Sequence, residues 1–408
     1  MRHRRLPAWV EPAFWVCAAY GMAMLAVAMF TGQWATRPHF YYSYTLQALN
    51  WLEGRLDIAN GADYEWLELA IYNGKYYVSF PPFPSYVLLP FAAVCGLQTP
   101  DGLIALGTAM LSCVYATRLY MAVTGGTKHL LFYVLFLLLG NGYLYLTMNG
   151  WVWFIAQNMC MALSLMALYY AWEGKGGISF ALWACSVGCR PMVALYFPVL
   201  AWLTLRHARE EDPSVTLLRL VARRWYWGLV PCAIACSYMV LNGLRFGNVL
   251  QFGHDYLPEF TRTSTGQFDL SYLWGNLKSY LRLPEWSNIS DPVYFSPIDG
   301  YAFYLEDPLI VAGILAWGWA VLKKRRGTLR ALLPVLLLAN VLVICLHRTL
   351  GGVQFGNRYL VDLLPYVFLG LLLWKPKGEC FMRITAPLAV LGTLVNVIGT
   401  VMSYRDLL

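Results

Sequence analysis

PFPSYVLLPFAAVCGLQ, residues 82–98, is apolar enough to enter a membrane but too short and too rich in proline to read as a crossing. A helix needs about 20 apolar residues to span roughly 30 Å of hydrocarbon. The stretch therefore reads as a re-entrant or interfacial helix belonging to a loop. Adequate spans lie at 12–31, 102–123, 129–147, 151–172, 226–245, 307–322, 329–347, 358–374 and 384–402. Cys189-Arg190-Pro191 cuts 177–206 into two short helices, 178–189 and 191–205, with Arg190 at their shared tip, which makes eleven crossings. With 82–98 left out of the count, the terminal Arg2, Arg4 and Arg5, Lys128, Lys175, Arg206 to Arg224, Lys323 to Arg326 and Lys375 to Arg383 all fall on one side. Cytoplasmic loops carry that excess of cations. Counting 82–98 as a crossing would move Lys128 and the whole of 206–224 to the other side.

Composition gives the same class. The 408 residues are 59% hydrophobic and 13% charged, about half the charge of a soluble surface. The fold class expected is an all-α polytopic membrane protein of about eleven transmembrane helices, one membrane domain over 1–408. Two loops interrupt it, 32–101 with its interfacial helices and 246–306, and both hold many more acids than lysines. The start Met1-Arg-His-Arg-Arg before an apolar run reads as a signal anchor. Nine of the ten cysteines sit within apolar runs, with no CxxC pair and no metal-ligand spacing, so packing is the reading for them and no metal site is assigned. No glycine-rich phosphate loop occurs, which argues against a nucleotide donor and nucleic-acid chemistry.

Within the first loop, Tyr42, Leu46, Leu49 and Leu52 recur at helical spacing before Gly54, as in an amphipathic helix lying on the membrane. Asn73-Gly74 between aromatic residues predicts a tight hairpin turn. Phe80 to Pro84 then stiffens the chain and turns it back toward the bilayer. Arg190 and Arg358 stand at the outer ends of apolar helices, where an arginine must find a partner or snorkel to the headgroups. Arginines at that depth suit a lipid phosphate, which they grip in bidentate fashion; Lys75 and Arg37 are candidates to close the ring. Asp362, four residues after Arg358, is expected to pair with it. Tyr41, Tyr76, His254 and Asp255 are candidate substrate contacts. Tyr272, Trp274, Tyr280, Trp286, Tyr294 and Tyr304 offer flat faces for sugar rings, and Asn288-Ile-Ser290 is a formal glycosylation acceptor.

Several motifs together carry a resemblance. They are Leu52-Glu-Gly-Arg-Leu-Asp57, YNGKYYVSFPPFP at 72–84, NGWVWFIAQNMCMALSLMAL at 149–168, GCRPMVALYFP at 188–198, VLQFGHDYLPEF at 249–260 and GNRYLVDLLPYVFL at 356–369. In order and spacing the chain resembles the GT-C superfamily of polytopic membrane glycosyltransferases, including those dependent on dolichyl-phosphate-mannose. The resemblance implies a polyprenyl-phosphate-sugar donor, a glycan, lipid or protein acceptor, and work on the outer face of a bacterial cytoplasmic membrane, in building the cell envelope. It implies no certain cofactor and leaves a divalent cation open. Members carry an acid soon after the first span, where this chain reads Thr36-Arg37-Pro38-His39-Phe40-Tyr41. The catalytic base then falls to His39, or to a later acid, Asp63, Glu65 or Glu68. Histidine suits the role because its ordinary pKa lies near neutrality. The alternatives are a lipid-linked glycan flippase, or a binding protein that keeps the fold without the chemistry.

Overall fold

The computed structural model of the chain describes residues 7–37, 39–283, 300–325, 327–351 and 354–406. Arg2, Arg4, Arg5, Trp286, the 288–290 acceptor, Tyr294 and Arg326 lie outside the described residues. Most of the described chain is helix. The first loop follows α1 (Val10–Thr31) and holds α2 (Ser43–Leu52), strands β1 (Leu69–Tyr72) and β2 (Lys75–Val78), and α3 (Phe83–Cys95). Next come α4 (Asp101–Thr124), α5 (Leu130–Leu139), α6 (Tyr143–Thr147), α7 (Val152–Trp172), α8 (Gly176–Val187), α9 (Phe197–Glu211), α10 (Leu217–Arg224) and α11 (Leu229–Phe246). The second loop carries α12 (Pro258–Thr261), α13 (Leu270–Leu281) and α14 (Phe303–Glu306). The chain ends with α15 (Pro308–Leu322), α16 (Thr328–Leu346), α17 (Leu364–Trp374) and α18 (Cys380–Asp406).

Six stretches among the described residues are long and apolar enough to cross a membrane: α1, α4, α7, Leu217–Phe246, α16 and α18. The other apolar helices fall short of the roughly 20 residues a crossing needs, and each has a local cause. The expected 129–147 span breaks at Asn141, whose amide donates to the Leu137 carbonyl and accepts from Tyr143 N, replacing ladder bonds. The expected 358–374 span opens as a 3-10 turn, Arg358–Leu363, before α17 begins. Residues 82–98 do form a helix, α3, of 13 residues with Pro90 inside it.

α7 is the buried axis of the bundle, packed on α4, α8 and α17, and its Asn158 is satisfied: it accepts from Tyr143 OH at 2.6 Å and donates to the Ala105 carbonyl at 2.7 Å. α1, α11, α16 and α18 instead turn Phe14, Met29, Leu244, Val335 and Ile398 outward, more than half exposed. A soluble protein hides such residues, whereas a hydrocarbon solvent accepts them.

The basic turns gather at one end. Lys128 lies 3.4 Å from Glu379, Arg325 donates to the Trp374 carbonyl at 3.4 Å, and Lys375 stands 5.0 Å from the Tyr133 ring centre. The two long loops meet at the other end, where the ring centres of Tyr72 and Tyr256 lie 4.6 Å apart and those of Phe80 and His254 5.9 Å. The first loop is tied to the bundle there by Val152 N donating to the Tyr41 carbonyl and Phe83 N to the Gly188 carbonyl, each at 3.0 Å.

The Asn73-Gly74 turn is as read, with φ of 49° and 72° and Tyr72 opposite Lys75. α2 differs from the amphipathic helix expected. Seven of its ten residues are buried, including Ser43, Thr45, Gln47 and Asn50. Ser85 donates to Gln47 at 2.9 Å and Ala59 N donates to Asn50 at 2.9 Å. Its polar side is therefore covered by α3 and the following loop, and protein replaces the water that an interfacial helix would face. All ten cysteines are free.

Candidate active site

Pro191 confines the residue before it to extended backbone. Arg190 accordingly leaves α8 at φ −141°, ψ 101°, and its side chain turns in toward α17's entry. Its Nε donates to Asp362 at 2.7 Å. Asp362, 3% exposed, also accepts from Gln157 of α7 at 3.0 Å. The same Gln157 amide nitrogen donates to the Arg358 carbonyl at 2.6 Å, so α7 locks both ends of the turn that carries Arg358. Arg358 is 3% exposed, takes the Gly351 carbonyl with one terminal nitrogen, and leaves Nε without a hydrogen bond.

Both guanidinium groups lean on one ring. Their carbons lie 4.7 Å (Arg190) and 5.2 Å (Arg358) from the centre of Tyr359, within cation–π range. The expected Arg358–Asp362 pair does not form. In a 3-10 turn residues recur every three positions rather than at 3.6, which leaves Asp362 facing Arg190 across the bundle. Of the two arginines Asp362 thus bonds Arg190 alone, and both guanidinium groups line a cavity of about 590 Å³ that also holds the carboxylates of Glu68, Asp255 and Glu259.

Glu68 lines the same cavity. It is a non-glycine residue in left-handed backbone, φ 53°, ψ 55°, between the 3-10 turn Gly61–Leu67 and β1. Such a conformation costs roughly 1–2 kcal/mol and collects at functional sites. Ser79 holds its carbonyl at 3.3 Å, and the Trp153 indole donates to its carboxylate at 3.0 Å. Although Glu68 is accessible from the cavity, the surrounding walls desolvate it. Burial raises its carboxyl above the ordinary glutamate value, Glu259 adds to the rise, and the Trp153 hydrogen bond and Arg358 act against it.

His254 and His347 complete the lining, with ring centres 5.8 Å apart. Burial, reinforced by the His347 imidazole and Arg190, lowers His254 to about 3. Burial and the two arginines lower His347 to about 4. Both are neutral at neutral pH, each ring with one donor and one acceptor nitrogen. Tyr41 is flanked by Trp151 and Trp153 at 5.1 and 4.8 Å, an aromatic platform beside Glu68.

Six of the residues singled out from the sequence therefore meet in this cavity: Arg190, Arg358, Tyr41, His254, Asp255 and Glu68. The others stand elsewhere. His39 lies 3.0 Å from Asp101 at the start of α4. Asp63 and Glu65 are exposed on the 3-10 turn, and Lys75 is exposed at the hairpin tip. Arg37 reaches back to the Gly32 carbonyl at 3.5 Å. Tyr76 packs beneath Gly61, where a Cβ would come within 2.2 Å of the tyrosine Cβ. Sequence reasoning gave Glu68 no priority over its neighbouring acids and passed over Gln157, Trp153, Tyr359 and His347. His347-Arg348 closes the apolar run of α16 much as Arg190 closes that of α8, so the rule that found Arg190 also points to His347. Nothing in the spacing marks Glu68.

A second cavity of about 490 Å³, almost wholly apolar, runs between α13, α15, α16 and α17. It abuts the first, since Leu360 and Val341 line one while Tyr359 and Ile344 line the other. No three metal-ligating side chains converge among the described residues. The arrangement can hold a phosphate between two arginines, stack a flat ring on Tyr41 and take up a proton at Glu68. The chain matches no family model, no curated protein and no solved structure.

Proposed function

We propose that the chain is a membrane glycosyltransferase, with eleven crossings and its amino terminus inside, that moves a sugar from a polyprenyl-phosphate carrier to an acceptor at the outer face. The observation that carries this reading is that Arg190, Arg358 and Glu68 line one cavity, at the end of the bundle opposite the basic turns. The apolar cavity alongside is suited to the carrier's isoprenoid chain. Glu68 takes the place considered for His39 and Asp63.

In the step proposed, an acceptor hydroxyl attacks the anomeric carbon from the face opposite the phosphate and yields its proton to the Glu68 carboxylate. The new glycosidic C–O bond forms as the bond from the anomeric carbon to the phosphate oxygen breaks. The bonding pair leaves on that oxygen, and Arg190 and Arg358 stabilise the charge it carries. Inversion at the anomeric carbon follows from the single displacement.

The test uses proteoliposomes of the full chain supplied with a polyprenyl phosphate carrying a radiolabelled sugar. Released polyprenyl phosphate and labelled acceptor are the expected products. Glu68→Gln should lower kcat about 10²–10⁴-fold, the worth of a general base. Labelled lipid that crosses the bilayer with its sugar still attached would instead establish a flippase.

A further inference from the structure

The 30 residues Leu217–Phe246 are apolar enough to pass for one span, but the chain bends inside them. Arg224 departs from helical geometry at φ −124°, ψ 26°, and a 3-10 turn, Trp225–Gly228, follows. α11 alone has 18 residues, about 27 Å at 1.5 Å per residue, which comes close to covering the hydrocarbon. α10 is therefore not needed for the crossing. The bend is held in place, because Trp227 lies over Gly176, where a Cβ would meet the ring at 2.4 Å.

None of α10's eight residues is buried. Leu217, Leu218 and Val221 share one side, with Leu218 82% exposed. Arg219 and Arg223, four apart, stand opposite Val221. The apolar side runs on through Trp225 into Leu229 and Val230 on the lipid-facing side of α11, each more than half exposed. From Pro213 to Leu229 the sequence has three arginines and no carboxylate. Asp212 is the nearest acid, 3.7 Å from Arg223 with both side chains largely in solvent. Arg219 reaches the Ser214 carbonyl at 3.4 Å, and Arg224 folds back onto Tyr226 and Trp227.

We propose that α10 lies in the plane of the membrane at the end of the bundle opposite the cavity, with Leu217, Leu218, Val221 and Trp225 at the acyl boundary and Arg219 and Arg223 drawing anionic phospholipid headgroups. Continuity with the lipid face of α11 decides for lipid over a soluble partner, since a protein docked on that stripe would have to enter the bilayer. The excess of arginines over acids decides for an anionic headgroup.

Two measurements on the full chain test this. In native mass spectrometry titrations from detergent, phosphatidylglycerol should bind more tightly than phosphatidylcholine. Arg219→Gln/Arg223→Gln should weaken phosphatidylglycerol alone by about fivefold per arginine, with the melting temperature held. Equal binding of the two lipids by the native chain, or an unchanged preference in the variant, overturns the proposal. In nanodiscs of phosphatidylglycerol, the α10 amides should exchange hydrogen more slowly than in phosphatidylcholine, and Leu218→Asp/Val221→Asp should restore fast exchange. Equal exchange in both lipids, as for a site awaiting a soluble protein, also overturns it.

Discussion

Arg190 and Asp362 form the bond on which the site's shape rests. At 2.7 Å, with the acid 2% and the arginine 22% exposed, the pair is deep enough that losing one partner strands the other. Asp362→Asn should lower the melting temperature more than Arg190→Gln, because a stranded Asp362 can take up a proton and keeps its bond from Gln157, whereas a stranded guanidinium cannot shed its charge. The double variant should be less destabilised than the sum of the two, by about 0.5–3 kcal/mol; additive thermal melts would show the pair to be energetically idle. Glu68 makes a second claim at this scale. Its carboxyl sits above the ordinary glutamate value, so transfer should fall about tenfold per pH unit once pH drops below that raised value. Glu68→Gln should remove the acidic limb of the pH–rate profile. A limb that survives the substitution would assign the proton to another group.

At the scale of elements, the hairpin and the 3-10 turn before it form one part whose job is to present Glu68. Asn73-Gly74 is legible in sequence because a two-residue loop with positive φ at both positions suits few residue pairs. The seat of the hairpin on Gly61 is not, because a glycine that clears room for Tyr76 looks like any loop glycine. Gly61→Ala puts a methyl where the Tyr76 Cβ stands, and should lower activity strongly by displacing β2 and with it Ser79 and Glu68. Gly74→Ala, at φ 72° with open space around it, should cost only about 1 kcal/mol and leave kcat near its native value. Activity assays and thermal melts on the two variants separate those outcomes. α2 marks where pattern reading fails: its spacing shows a stripe of apolar residues, but the pattern cannot say that its polar stripe is also covered.

For the molecule as a whole, two buried imidazoles set a pH dependence. The folded values of about 3 and about 4 for His254 and His347 lie below the ordinary imidazole value of about 6.5. Between these limits the unfolded chain binds more protons than the folded one, so stability is intact above about pH 6.5 and declines as pH falls toward 4. Raised carboxyls such as Glu68 act in the opposite sense at the acid end. His347→Gln should flatten the decline in melting temperature between pH 7 and pH 5 if the imidazole causes it, and leave the slope unchanged if not. The segregation of charge gives another test: cysteines placed at Lys128 and Lys375 should react with an impermeant reagent from one side of the membrane, and one at Asp63 from the other.

The sequence by itself determined the class of the molecule, since 13% charge and repeated apolar runs leave only a lipid solvent, and class is a sum over residues that needs no knowledge of contacts. It also singled out Arg190 and Arg358, because a cation at the end of an apolar run has few places to go. Only the tertiary structure decided which acid answers them. Asp362 lies four residues from Arg358 and 172 from Arg190 yet bonds the latter, and Glu68 reaches the cavity through a left-handed turn and a bond from Trp153 that is 85 residues away. Local pattern fixes burial and periodicity, whereas a site joins groups from distant elements, and which of them meet is settled only when the helices pack.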